Sequence, residues 1–170
     1  PDAVAAITIQ KSQGGDVVAE DGWVNSQSTY ISWGASDDHD GIGVDGYCVS
    51  LSTSDTNDPA TSAGVIQNDS PLANDVCPYA ISDTHLTLSG LNIGNNSADG
   101  IYYVAVKAFD ELGNVSDVST RILKIDTQPP SVTTVITAPQ ISNTKAFHVS
   151  WLTGPDPVGA SDPGSHPSGF

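Results

Sequence analysis

The stretch IYYVAVKAF, residues 101–109, decides the fold class. In an extended strand successive side chains point to opposite faces, so every second residue shares a face. That spacing places Tyr102, Val104 and Val106 on one apolar face and Lys107 on the other. A helix would need apolar residues three and four apart, which this run does not show. The stretch therefore predicts a β-strand with one face in a core.

The same period of two recurs along the chain, and no stretch sustains a helical period. Clusters of Gly, Asp, Asn, Ser and Pro, which favour turns, separate these segments. Seven short strands with turns between them predict an all-β fold, an antiparallel sandwich of about seven strands. The other six predicted strands are 3–9, 28–33, 44–51, 63–67, 84–91 and 119–126.

Composition excludes several classes of function. The chain has 170 residues and a formal net charge of −15, with only five Lys and Arg residues. Such a chain repels phosphate backbones, so we expect no nucleic-acid partner. It has no basic amphipathic stretch and no apolar run of spanning length, so we expect no membrane insertion. Only Glu20 and Glu111 are Glu among the 20 acidic residues, and this preference for Asp favours turns over helices.

Three sequence landmarks occur twice in the same order, which indicates a repeat. The run PDAVAAIT at Pro1 resembles PSVTTVIT, which starts at residue 130, and the surroundings of Trp33 resemble those of Trp151. The run DGY ending at Tyr47 resembles SGF ending at Phe170. We therefore predict a first domain over 1–127. Residues 128–170 would be a proline-rich joint, containing the end of DTQPP, and the truncated start of a second copy.

The run LTLSGLNIGNNSADGIYYVAVKAFDELGNVS, residues 86–116, resembles fibronectin type III and related bacterial Ig-like modules. The resemblance covers most of 1–127 and implies a sandwich with an extracellular, modular role. It is carried by a Gly-Leu strand end, a tyrosine with spaced Val and Ala, a Gly-x-x-Ser turn, a tryptophan and a Gly-Tyr pair. These are Gly90, Leu91, Tyr102, Val106, Ala108, Gly113, Ser116, Trp33, Gly46 and Tyr47.

The resemblance also implies structural roles for individual residues. Tyr102 would be the corner tyrosine, whose hydroxyl bonds to the backbone of the preceding connection. The unit is longer than a plain module, and the extra residues fall in two insertions, 11–27 and 52–82. The core between the sheets would contain Trp33, Tyr47, Val49, Leu86, Leu88, Tyr102, Val104 and Val106.

The two cysteines, Cys48 and Cys77, predict one disulfide and an oxidising compartment. Cys48 lies on the strand face opposite to Tyr47, so its side chain points away from the core. Cys77 lies in the second insertion, and a bridge would fasten that insertion across the outer face of a sheet. The alternative is two unrelated buried thiols.

Four aspartates crowd the connection SDDHDGIGVDG, residues 36–46. Closely spaced carboxylates suit Ca²⁺, so Asp37, Asp38, Asp40 and Asp45 form a candidate calcium site and Ca²⁺ is the candidate cofactor. The spacing is not that of an EF-hand loop. The alternative is a solvated turn in which Asp serves local hydrogen bonds. Further along, Asp110 is best interpreted as a turn residue before Gly113.

Two aromatic residues lie outside the predicted strands, Trp23 in the first insertion and Tyr79 in the second. Exposed rings bind sugars, so the pair is a candidate glycan-binding site. The alternative is that each ring covers the core beneath its own insertion.

The function we expect from the sequence is that of a non-catalytic structural or adhesive repeat at the cell surface or outside the cell. The four histidines are scattered and none lies in a recognisable nucleophile setting, and no catalytic or phosphate-loop motif occurs, so we expect no enzyme. Expected partners are neighbouring repeats or like subunits, and glycans. Two alternatives are a filament subunit completed by strands from another chain and a carbohydrate-binding accessory module of a secreted enzyme.

Overall fold

A computed structural model of the chain describes residues 1–26, 28–39, 41–66, 72, 75–88 and 99–128, together with two short strands further on. The chain divides into two compact units, Pro1–Thr127 and Gln128–Phe170. Every regular element in the described residues is a β-strand. Those residues contain no helix with the length and hydrophobicity needed to cross a membrane.

The strands of the first unit form two sheets. One sheet has the order β1-β3-β6 and the other has the order β2-β8-β7-β4-β5. All neighbours are antiparallel except β2 and β8, which are parallel. The all-β fold with two sheets confirms the predicted class. The strands are β1 (Ala5–Gln10), β2 (Trp23–Val24), β3 (Thr29–Gly34), β4 (Gly46–Ser52), β5 (Ala80–Ile81), β6 (His85–Leu88), β7 (Gly100–Phe109) and β8 (Ser119–Ile125).

The main core lies between the inner faces of these sheets. Ile31 and Trp33 contribute from the three-stranded sheet, and Val104 and Val106 contribute from the five-stranded sheet. Trp33 packs edge-to-face on Tyr47, with 5.6 Å between the ring centroids. Of the eight core residues named from the sequence, Leu86 is only partly buried and packs against this cluster. The other seven are buried in it: Trp33, Tyr47, Val49, Leu88, Tyr102, Val104 and Val106.

Strand β4 is buried on both faces. The long insertion covers the outer face, which an isolated sandwich would leave exposed to solvent. Tyr47, Val49 and Leu51 belong to the main core. Cys48 and Ser50 point to the opposite face and are also fully buried. The covering segment is the long insertion that follows β4, whose return is fixed where the Val49 N–H donates to the Tyr79 carbonyl at 3.0 Å.

One predicted strand, 63–67, is wrong over the residues that the structure describes. Gly64 makes only an isolated bridge to Leu51 and has a φ of 67°. A side chain at Gly64 would lie 2.0 Å from the Leu51 carbonyl oxygen, so only glycine permits this close approach. The apolar residues of this segment, including Val65, pack against the core without forming a strand. Their pattern reflects packing rather than pairing.

Two short edge strands were not predicted, and both lie inside the regions assigned to insertions. Strand β2 pairs in parallel with β8, and its Val24 is fully buried. Strand β5 pairs with β4 and places Ile81 opposite Tyr47. Two residues are too few to show a period in sequence, so length alone hid them.

In the second unit, the structure describes the backbone of β9 (Ile136–Thr137) and β10 (Ser150–Trp151). These strands pair antiparallel, with Trp151 opposite Ile136. The landmark residues at 130 and 170 lie outside the described residues. The identity of this unit as a second repeat therefore stays a prediction.

Candidate functional site

A disulfide joins Cys48 in β4 to Cys77 in the insertion, which confirms the predicted bridge. The two residues are 29 apart in sequence, and their Cα atoms are 5.8 Å apart. Together with Ala80 and Phe109 they form a small buried cluster that is separate from the main core. The disulfide thus fastens the insertion to the outer face of the larger sheet, beside the end of β7.

The turn between β7 and β8 is built around the Asp110 carboxylate. Its Oδ1 accepts hydrogen bonds from the Leu112 and Asn114 backbone N–H groups, both at 2.9 Å. Its Oδ2 accepts one from the Asn114 side-chain amide at 2.8 Å. The Gly113 N–H donates to the Asp110 carbonyl at 3.1 Å, and Gly113 has a φ of 82° that suits glycine. Asp110 is therefore the turn residue that the sequence indicates.

Ser116 closes the same turn from its far side. The Ala108 N–H donates to Ser116 Oγ at 2.9 Å, and the Ser116 N–H donates back to the Ala108 carbonyl at 2.9 Å. Ser116 is buried although the turn around it is exposed. These bonds extend the pairing of β7 past the start of β8. The turn is consequently held in one conformation by Asp110 at one end and Ser116 at the other.

The hydrogen bonds to Asp110 favour its ionised form. The side-chain bond from Asn114, followed by the backbone bonds from Asn114 and Leu112, holds the pKa of Asp110 below the ordinary value of 3.8, although burial opposes this. Because the pKa of Asp110 is lowered in the folded state, its carboxylate stabilises the protein at pH values above the ordinary pKa of 3.8. This stability is lost as the pH falls through the lowered pKa.

We expect Asp110→Asn to destabilise the protein at pH 7, because the carboxylate loses charge while its donors remain. The difference in free energy of unfolding between the wild type and Asp110→Asn should be smaller at pH 2.5 than at pH 7, because the stability from the lowered pKa of Asp110 decreases once the pH falls below the ordinary value of 3.8. Urea unfolding at the two pH values measures it. Asp117→Asn, at an exposed residue of the same turn, is the matched control and should show little change. A difference for Asp110→Asn that stays constant with pH would contradict this role.

An open cleft of about 610 Å³ lies beside this turn. One wall is the β7–β8 turn and another is the insertion. The two walls lie close together, because a Cβ atom placed on Gly113 would be 3.9 Å from Val76 Cγ2. The buried Phe109 is also part of the lining. The lining combines carboxylates with apolar groups: Asp45, Ala60, Asp75, Val76, Phe109, Asp110, Glu111, Leu112, Gly113 and Val115.

The candidate calcium residues are divided among different surroundings. Asp45 lines the cleft. Asp38 lies 3.0 Å from the Pro1 amino group and accepts a hydrogen bond from the Gly43 N–H at 3.1 Å. These two contacts, in that order, lower the pKa of Asp38. His39 lies between Asp2 and Asp37, at 3.1 and 3.5 Å from their carboxylates.

Asp40 lies outside the described residues. Within the described ranges no group of three or more His, Cys, Asp or Glu residues is arranged to hold a metal. Calcium binding stays a prediction, and melting curves with and without a chelator would check it. An unchanged melting midpoint would dismiss a structural ion.

The two candidate glycan-binding aromatics differ in accessibility. Tyr79 is only 4 % exposed and belongs to the main core, so its ring offers no platform to a sugar. Burial raises the pKa of its hydroxyl. Trp23 is partly buried in β2, and Lys124 Nζ lies 6.0 Å from its ring centroid. The structure therefore does not bring the pair together as an exposed surface, and Tyr79 covers the core as in the alternative interpretation.

Tyr102 is buried at the start of β7, and burial followed by the charge of Asp99 raises the pKa of its hydroxyl. The connection that should supply its backbone partner, 89–98, lies outside the described residues. Its role as a corner tyrosine stays a prediction.

Sequence reasoning missed the cleft, because its lining comes from three distant segments. Asp45 precedes β4, Asp75 and Val76 belong to the insertion, and Glu111 and Leu112 belong to the β7–β8 turn. The disulfide was the available signal, since it predicts that the insertion returns to β4.

No protein-family model matches this chain, and no curated protein matches it.

Proposed function

We propose that this chain is a non-catalytic extracellular repeat of the fibronectin III-like or Ig-like kind, which spaces neighbouring modules and adheres to a partner. The strand order supports this class. In constant-type immunoglobulin domains four strands face three. Here three strands face five, and the fifth strand of the larger sheet is the short edge strand β2 of the first insertion, so without it three strands would face four. The buried Tyr102 at the start of β7 also fits the class.

The observation that carries the proposal is the Cys48–Cys77 disulfide. It joins a long surface insertion to a sandwich that already has its own core. Structural disulfides persist in oxidising compartments and are rare in the cytosol, which supports an extracellular location. A fastened insertion also gives a module a stable surface for contact with a partner, which is what adhesion needs.

The chemistry of the cleft suits contact with a ligand. Its lining consists of carboxylates, apolar side chains and a glycine. The four carboxylates there can bind a cation or a polar ligand. The Asp110 carboxylate is occupied by the turn itself.

Sedimentation equilibrium of the oxidised chain tests the proposal against the filament alternative. We expect a monomer at micromolar concentration, because a chain with a net charge of −15 repels its own copies. Concentration-dependent assembly into long polymers would overturn the spacer role and favour strand addition. For the carbohydrate alternative, loss of glycan binding in Trp23→Ala would be the decisive result, since Tyr79 is buried.

A further inference from the structure

We infer that the cleft beside the β7–β8 turn binds a cationic, partly apolar peptide segment of a partner protein. This inference deepens the adhesive role proposed above and depends on it. The contact surface is the part of the cleft formed by Asp45, Asp75, Val76, Glu111, Leu112 and Val115.

The apolar half of this surface is unusually open to water. Leu112 is 76 % exposed at the tip of the turn, and Val115 is 39 % exposed further along it. Both line the cleft together with Val76 and the buried Phe109. A single exposed aliphatic residue is ordinary, but several around one concave surface mark a site of contact. Aliphatic side chains of a ligand would release water from this half.

The polar half selects the charge of the ligand. Asp45, Asp75 and Glu111 all line the cleft, and none of them belongs to a salt bridge within the described residues. Opposite charge on a ligand would be attracted and steered towards them.

The chain's own described cations are mostly engaged elsewhere. Lys107 pairs with Asp58 at 3.0 Å, and Lys124 pairs with Asp21 at 3.2 Å. Arg121 Nη2 donates to a backbone carbonyl at 3.0 Å. The Pro1 amino group pairs with Asp38 at 3.0 Å, and its charge also acts on Asp110. Positive charge beside Asp45, Asp75 and Glu111 would therefore come from a partner. A second copy of this chain is a poor candidate, because each copy carries a net charge of −15.

Both walls of the cleft are fixed before any ligand arrives. The hydrogen bonds of Asp110 and Ser116 hold the turn that carries Leu112. The disulfide at Cys77 holds the neighbouring Val76. A preformed surface loses little conformational entropy when it binds, which favours recognition by a short segment.

A peptide fits this surface better than a bare cation does. A metal ion would leave Leu112 and Val115 exposed, and the described residues contain no cluster arranged for a metal. A cleft of about 610 Å³ is within the range of ligand sites and can take a few side chains. Lys or Arg beside an aliphatic residue would satisfy both halves together.

The test is a titration of the oxidised, ¹⁵N-labelled full chain at low salt with a blocked heptapeptide of alternating Lys and Leu. We expect saturable amide shifts at Gly113 and Val76 and binding that weakens with added salt. A peptide with Glu in place of Lys, and one with Ser in place of Leu, should both bind more weakly. The double variant Asp75→Asn, Glu111→Gln should weaken binding by about threefold to tenfold, and Leu112→Ser should also weaken it.

The matched control is the double variant Asp16→Asn, Glu20→Gln. It removes the same number and kind of charges from exposed residues near the C-terminal end of β1. It should leave the affinity nearly unchanged. Equal weakening in both double variants, or shifts that do not centre on the cleft, would overturn the inference as mere attraction to an acidic surface. An absence of saturable binding would overturn it too. Sedimentation of the same sample distinguishes failure of the peptide-binding inference from failure of the proposed function. A monomer that does not bind the peptide would contradict only the inference and would retain the spacer role.

Discussion

Replacement of Trp33 by alanine should lower the free energy of unfolding by about 3–5 kcal/mol, the range found when a large buried aromatic is removed. Trp33 is 5 % exposed and packs against Tyr47 in the middle of the core between the two sheets. Its removal loses burial from both sheets and leaves a cavity that the paired strands cannot close. Urea unfolding followed by far-ultraviolet circular dichroism measures the effect without relying on the missing fluorophore.

Trp23→Ala is the matched control, because it removes the same side chain from the short edge strand β2. Trp23 is only partly buried there, so we expect a loss of about 1 kcal/mol. The contrast tests which tryptophan lies in the core. Equal losses for the two variants would mean that Trp33 is not central to the packing.

Removal of the disulfide by the double variant Cys48→Ala, Cys77→Ala should destabilise the protein by about 3–4 kcal/mol in the chain-entropy model. The bridge closes a loop of 29 residues, and this loop gains freedom in the unfolded chain when the bridge is absent. Because the bridge lies outside the main core, the variant should keep the sandwich fold. The urea midpoint gives the loss, and the circular dichroism spectrum checks the fold.

Reduction of the wild type provides an independent check of the same effect. A reducing agent should move the urea midpoint of the wild type close to that of the double variant, and it should not move the midpoint of the double variant. Identical midpoints for the oxidised wild type and the double variant would show that the bridge contributes nothing to stability.

Much of the fold could be predicted because alternation survives wherever a strand faces a core. The run around Val104 and the run around Val49 both show it, and the structure pairs them directly in β7 and β4. Cys48 could be assigned to the outer face for the same reason. Strand period is a local property, so a single sequence contains it.

The path of the insertion could not be predicted, because it depends on contacts between distant residues. Tyr79 resembles an exposed loop residue in sequence, yet its backbone accepts a hydrogen bond from Val49 and its ring is buried. The segment at Gly64 resembles a strand but only touches Leu51. In both cases the environment is made by the return of the insertion over β4.

The cleft escaped prediction for a related reason. Asp45 was interpreted with its sequence neighbours Asp37 and Asp38 as part of a calcium site. The fold instead places Asp45 in a cleft that Glu111 also lines. Charge crowding in sequence therefore indicated an acidic surface but not which carboxylates share it.

The most direct test of the modular account compares urea unfolding of a fragment containing residues 1–127 with that of the full chain, both oxidised. The buried residues of the main core all lie within the first compact unit, so the modular hypothesis is that this unit folds on its own. It predicts a folded fragment whose cooperative transition has the same midpoint as the transition of that unit in the full chain. A fragment that is unfolded in water, or that unfolds at a markedly lower urea concentration, would contradict it.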